Sequence, residues 1–236
     1  MADLDWWAPL GAAGELRVTE LVADETLRNR ALRTEDVRAI PLAELTLAGL
    51  DLTAEVGHRS YRLRAGDRSV VRFDVPERGP WHAQLDGEDL ELWEGFVEVA
   101  GGDDRVDQAH VLRVSGRRGT WVLHFTGGRL SGDTLVLARG DRPGQSAPVV
   151  RCVPAPRSRA LPKARRRRGP ADVHVTTWTA DATAGEVALV ELVVLAGRHV
   201  GLDYLTAGLA GAARGVAGLW RAFTPVPDPL PTTKDR

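Results

Sequence analysis

The sequence predicts a mainly β protein: an antiparallel β-sandwich or partly open barrel built from repeated hairpins, with a short N-terminal helix and a C-terminal amphipathic helix. Three observations carry that expectation. Between residues 41 and 153, short runs alternate apolar and polar side chains and end at Gly, Asp or Pro, the pattern of antiparallel strands joined by tight turns. Two stretches forty residues apart, RGPWHAQLDGEDL from Arg78 and RGTWVLHFTGGRL from Arg118, repeat Arg, Gly, Trp, Gly and Leu in register. Near the C-terminus, Leu202, Leu205, Leu209, Ala212, Val216, Leu219 and Phe223 are spaced alternately by three and four residues, which places them on one helix face.

Residues 1–40 read as a lead-in. Residues 1–14 are loose, with Trp6 and Trp7 as an anchor, and Asp24 caps a short helix that puts Leu27, Ala31 and Leu32 on one side. Residues 41–153 form the β domain. In the first repeat Trp81, Ala83 and Leu85 share a face, with His82 and Gln84 opposite; in the second, Trp121, Leu123 and Phe125 share a face, with His124 opposite. A fainter copy upstream places Arg38, Leu45 and Leu50 at the matching positions. Three units are too few to close a propeller ring, so the repeat reads as a hairpin reused within one sandwich or barrel.

Residues 154–171 are a linker or arm rich in Pro and Arg. Residues 172–223 then hold a hairpin, in which Val173, Val175 and Thr177 alternate and DATAGE supplies the turn, followed by the amphipathic helix. The run 187–195 could equally begin a helix, and its β-branched content tips the reading towards a strand. The helix carries Gly208, Gly211, Gly215 and Gly218, each costing about 1 kcal/mol relative to Ala, so it needs close packing to persist. Residues 224–236, with four prolines, read as a disordered tail.

Charge is distributed unevenly. The net charge is −1, yet residues 151–168 hold eight basic and no acidic residues, leaving 23 basic against 32 acidic elsewhere. An acidic body thus carries one concentrated cationic segment, Arg157, Arg159, Lys163, Arg165, Arg166, Arg167 and Arg168, suited to a polyanion: nucleic acid, anionic lipid or a cell-wall polymer. The segment lacks interleaved aromatics, so base stacking is not part of that expectation.

No phosphate loop, dinucleotide fingerprint, zincin helix or nucleophile elbow is present in the sequence, and neither a cofactor nor a metal is expected. The single Cys152 has no disulfide partner in the chain. The six histidines form no i,i+2 or i,i+4 pair, although His82 and His124 occupy the same side of corresponding strands and could meet on one sheet face. The acidic groups around Asp86 to Glu94 and Asp103 to Asp107 read as solvated turns. The stretch around the C-terminal helix is interrupted by Asp203, Arg214 and Arg221, which argues against a membrane span.

Two bacterial families share short motifs with the chain. HRSYRL (His58 to Leu63), VPERGP (Val75 to Pro80), WEGF (Trp93 to Phe96) and RGTW (Arg118 to Trp121) occur in the order of elements in the 3′-phosphoesterase domain of bacterial end-joining DNA ligases, which the chain resembles there. That resemblance implies His58 and Arg62 as active-site residues and His82 as a metal-binding histidine, with Ser60 standing where that family has an acidic residue. The units of the form Gly79-x-Trp81…Leu85…Gly87…Leu90 resemble the repetitive β-sandwich accessory domains of bacterial cell-envelope glycosyl- and glycerophosphotransferases, which are not catalytic.

The expected function is therefore a non-catalytic binding or assembly module in the cytoplasm, at or near a membrane surface. The basic arm would contact a polyanion, and Leu202, Leu205, Leu209, Val216, Leu219 and Phe223 would dock a protein partner or a second copy. The alternative is a divergent metal-dependent nucleic-acid 3′-phosphoesterase using His58, Arg62 and His82.

Overall fold

Alternation and turn chemistry together produce a closed antiparallel barrel. The computed structural model describes residues 4–21, 30–35, 38–74, 82–100, 106–126, 134–154 and 171–199. The strands among them are β1 (Gly14–Glu20), β2 (Ile40–Leu47), β3 (Leu50–Gly57), β4 (Ser60–Ala65), β5 (Arg68–Asp74), β6 (His82–Leu85), β7 (Glu88–Ala100), β8 (Val106–Gly116), β9 (Gly119–Thr126), β10 (Thr134–Arg139), β11 (Pro148–Pro154) and β12 (Ala171–Trp178), followed by one helix, α1 (Ala184–His199). Every strand pairs antiparallel with its neighbour in sequence, and β1 pairs with both β2 and β12, so the sheet closes on itself. Of the two architectures expected, the barrel is the one found.

Two-residue turns define one rim. Ala48–Gly49 joins β2 to β3 and Asp86–Gly87 joins β6 to β7, with all four residues at positive φ (51°, 78°, 52° and 78°). That pair of left-handed residues is the primed turn whose twist matches a right-twisted hairpin, and Gly at the second position carries it without strain. The β4–β5 and β8–β9 hairpins turn at the same rim, here called the turn rim. At the opposite rim, His58–Arg59 forms a tight β3–β4 turn, whereas β1–β2, β5–β6, β7–β8, β9–β10 and β11–β12 are joined by longer segments. We call this second end the loop rim.

The two repeats map to β6 and β9, and the upstream copy to β2. Because neighbours alternate in direction, β2 and β6 run towards the turn rim while β9 runs away from it. In all three the inward row is apolar: Leu45, Ala83, Leu85, Trp121 and Leu123 are buried.

The barrel extends beyond 41–153 on both sides. β1 lies within the stretch read as a lead-in, its Leu16 and Val18 buried, and β12 lies beyond the basic segment. The basic segment is thus no link between domains; it joins two paired strands of one barrel, Pro154 being opposite His174. Residues 30–33 are helical, with Ala31 buried; Asp24, Leu27, Trp81, residues 155–170 and the whole stretch 200–236 lie outside the described residues.

The run 187–195 belongs to α1, which corrects the strand expected there. Thr183 and Glu186 form a capping box: the Thr183 Oγ1 accepts from the Glu186 N–H at 3.1 Å, and the Glu186 carboxylate accepts from the Thr183 N–H at 2.8 Å. From that cap the helix passes into the lumen, touching β4 and β5 on one wall and β11 and β12 on the other. Val187, Leu189, Val190, Leu192 and Leu195 are all buried, so it is apolar all round because it is enclosed all round. Gly185 is required by close approach, since a Cβ there would lie 2.7 Å from the Trp6 carbonyl oxygen. Trp6 is itself buried and its carbonyl accepts from the Gly185 N–H at 2.8 Å, so the tryptophan pair does anchor the N-terminal segment, over the turn rim.

Candidate functional site

β12 ends at the turn rim, so α1 enters there and its last residue, His199, lies towards the loop rim. The loop rim therefore receives the C-terminal continuation of the chain, both ends of the basic segment, and the His58–Arg59 turn. Register places His82 in the same terminal row: Gly57 is opposite Ser60, Ser60 opposite Asp74, and Asp74 opposite His82.

The candidate residues do not form a cluster: His58 lies in the β3–β4 turn, while Arg62 and His82 lie on the outer face of β4 and β6. Arg62 lies one row further along β4, between Glu55 and Arg72, and β5 separates it from β6. Its Nε is buried with no hydrogen-bond partner among the described residues, while His82 is exposed. The expected meeting of His82 and His124 does not occur. β7 and β8 stand between their strands, a lateral distance of about 14 Å at the usual strand spacing, and the register carries the His82 row to Thr120, four residues short of His124 along β9. Among the described residues, no group of three or more His, Cys, Asp or Glu side chains is arranged to hold a metal ion.

The acidic residues at the turns are tied to neighbours. Glu88 accepts the Arg117 N–H at 2.5 Å and pairs with Arg118 at 3.5 Å; Asp89 accepts from Gln84 at 2.7 Å; Asp86 pairs with Arg68. These are solvent-facing contacts, each worth up to about 1 kcal/mol.

Two buried polar centres were not foreseen. In the lumen, His174 Nε2 and Glu191 Oε2 approach to 2.6 Å with both side chains fully buried. On β12, Val175 and Thr177 are half-buried, and it is His174 and Thr176, which alternate with them, that are buried at 0% exposure. The expected hydrophobic parity is overridden because the helix presents a carboxylate to that wall. Cys152, opposite Thr176 on β11, is also buried, a core thiol.

The second centre closes the turn rim. Glu186 accepts from Trp121 Nε1 at 2.8 Å and from Arg139 at 2.7 Å (Nε) and 2.9 Å, in addition to the Thr183 N–H. The hydrogen bond to Glu186 is the main reason the Arg139 guanidinium is held further above its usual range, and Asp181 beside it contributes. The Asp181 carboxyl lies below its usual range, chiefly through the Thr179 hydroxyl it accepts from and secondarily through Arg139. The sequence signal for this centre was the Thr-x-x-Glu spacing at Thr183 and Glu186.

His124 is partly buried, and that burial lowers its pKa below the ordinary histidine value. With the folded value below the unfolded one, stability is full above about pH 6.5 and falls as the pH drops through that value towards the folded pKa. The thermal midpoint should thus be lower at pH 5.5 than at pH 7.5, and by less in His124→Gln; an equal drop in both would remove His124 from the account.

A scan against protein-family models, a search of curated proteins and a search of solved structures each found no match to this chain.

Proposed function

We propose that this chain is a non-catalytic binding and assembly module whose working end is the loop rim. The observation that carries this reading is the filled lumen. A twelve-stranded barrel has the girth to enclose a ligand, and here that volume is taken by α1, so recognition falls to the outside and to the rim segments. The basic segment, with its seven cationic residues from Arg157 to Arg168, begins and ends at paired strands of one rim, after Pro154 and before Ala171. Its partner is a polyanion recognised by charge, and residues 202–223, which continue from the same rim, are the docking element.

Titration of the purified protein with anionic oligonucleotides and with anionic vesicles across a salt series tests the reading. If all seven cations engage a duplex, log K should fall against log salt with a slope of about −6, and replacing Arg165 to Arg168 by Ala should reduce it by about 3 to 4. Salt-independent binding, or none to either probe, would sink polyanion contact. Repeating the oligonucleotide arm with Mn²⁺ and a 3′-phosphorylated strand tests the phosphoesterase alternative. Phosphate release lost in His58→Ala would displace the binding reading.

A further inference from the structure

The outer face of an antiparallel barrel that meets water should be polar. On β3 to β6 it is, carrying Glu55, Arg62, Arg64, Arg72, Asp74, His82 and Gln84. On β8 to β10 it is so only in part: Arg113 (opposite Val122), Ser115 and Thr120 share that face with apolar residues. Val111, Val122 and Ala138 form an apolar cluster separate from the lumen core, with exposures of 1%, 0% and 0%, and Val97 packs against it. Val136 alternates with the lumen residues Leu135 and Leu137, so it faces outward as well, again at 0% exposure. His124 lies between Val111 and Val136 in register, its Nδ1 buried without a partner among the described residues. At the border, Trp93 remains 39% exposed with the Arg113 guanidinium 4.8 Å from its ring centroid.

An outward valine on a solvated sheet keeps part of its surface in water, so four side chains at 0–1% exposure describe a covered face. Val97 is the one partly buried hydrophobic residue among those described that joins it. The chain carries a matching cover. The apolar stripe from Leu202 to Phe223 starts three residues beyond His199, at the loop rim, where β9 ends and β10 begins. As a helix, residues 202–223 would run about 33 Å, against about 27 Å for the eight residues of β9. Its four glycines allow a backbone to approach a sheet closely, and only such packing offsets their cost in a helix.

We propose that residues 202–223 dock as an amphipathic helix on the outer face of β8 to β10 of the same chain, stripe inward over Val111, Val122, Val136 and Ala138. This rests on the reading of that segment as a docking element and names its surface; polyanion contact by the basic segment stands or falls separately, because its titration does not involve this face.

The test uses the full chain. Carbethoxylation by diethyl pyrocarbonate, read at each histidine by mass spectrometry, should modify exposed His82 quickly and His124 slowly. In the double variant Leu205→Asp, Leu209→Asp, the His124 rate should rise about tenfold or more while His82 is unchanged, as expected if the cover opens locally rather than globally. As a second measurement that leaves the stripe largely intact, a benzophenone attached at Leu209→Cys should photocrosslink to peptides of β8 to β10 within a monomer. An unchanged His124 rate in the double variant, or crosslinks elsewhere, would overturn the proposal. So would crosslinks between chains accompanied by a dimer in sedimentation velocity, which would assign the face to a second copy.

Discussion

Replacing Glu191 by alanine should lower the thermal midpoint by roughly 10 °C. The substitution removes one member of a fully buried pair and strands His174 in an apolar lumen. Breaking such a pair typically costs about 3–5 kcal/mol, and a chain of this length shifts by about 2–4 °C per kcal/mol. Glu191→Gln keeps the shape and one hydrogen bond, so its loss should be smaller. The double variant His174→Leu, Glu191→Leu should recover most of the loss, because two apolar groups of similar bulk leave nothing unpaired. Calorimetry of the four proteins decides the matter, and a Glu191→Ala midpoint within about 2 °C of the parent would show that the pair contributes little.

Glu186→Ala should cost nearly as much, through a different route. The carboxylate holds the first turn of α1 by the capping box, worth about 1 kcal/mol. It also accepts hydrogen bonds from Arg139 and Trp121, of the charged kind that contribute about 1.5–3 kcal/mol. Loss of the residue leaves the Trp121 Nε1 proton buried and unpaired and opens the plug at the turn rim. Guanidinium unfolding should therefore show a lower midpoint with tryptophan emission already altered in the native baseline, and amide exchange in the first turn of α1 should accelerate. A lower midpoint with unchanged exchange at that turn would argue that the capping box is not where the stability lies.

Many of the strands from β2 to β10 were legible because an apolar lumen face set against a polar outer face, as on β3 to β6, writes alternation into a strand, and the primed turns at Ala48–Gly49 and Asp86–Gly87 announce themselves in residue type. α1 was obscured by the same logic. A helix enclosed on every side has no polar face, so no 3.6-residue stripe survives in it, and its many valines resemble a buried strand. β1 was absorbed into a neighbouring helical pattern, since seven residues that close a barrel by pairing with a strand some 150 positions away leave no local trace of that partner. The lumen pair was hidden for a related reason. His174 and Glu191 stand 17 residues apart in different elements, and only the insertion of the helix brings them to one wall. The candidate residues of the rim and the C-terminal stripe were readable as charge and periodicity; the covered face on β8 to β10 was not, because Val111, Val122 and Val136 look like any other strand valines until inward and outward are known.

The threaded helix also sets the order in which this molecule can come into being. During synthesis eleven strands leave the ribosome before β12 offers β1 its second partner, and α1, which fills the core, follows all of them. A nascent chain thus carries lumen-facing leucines and valines with nothing to pack on, and the first strand waits for nearly the last. Closure and filling must then occur together, because a barrel zipped shut beforehand would exclude its own core. Such dependence on contacts between chain ends makes for slow acquisition of the native state, and for a long interval in which unpaired edges and the apolar interior lie open to other chains. Chaperone dependence and aggregation during expression are the expected practical costs of a barrel that is stoppered from within.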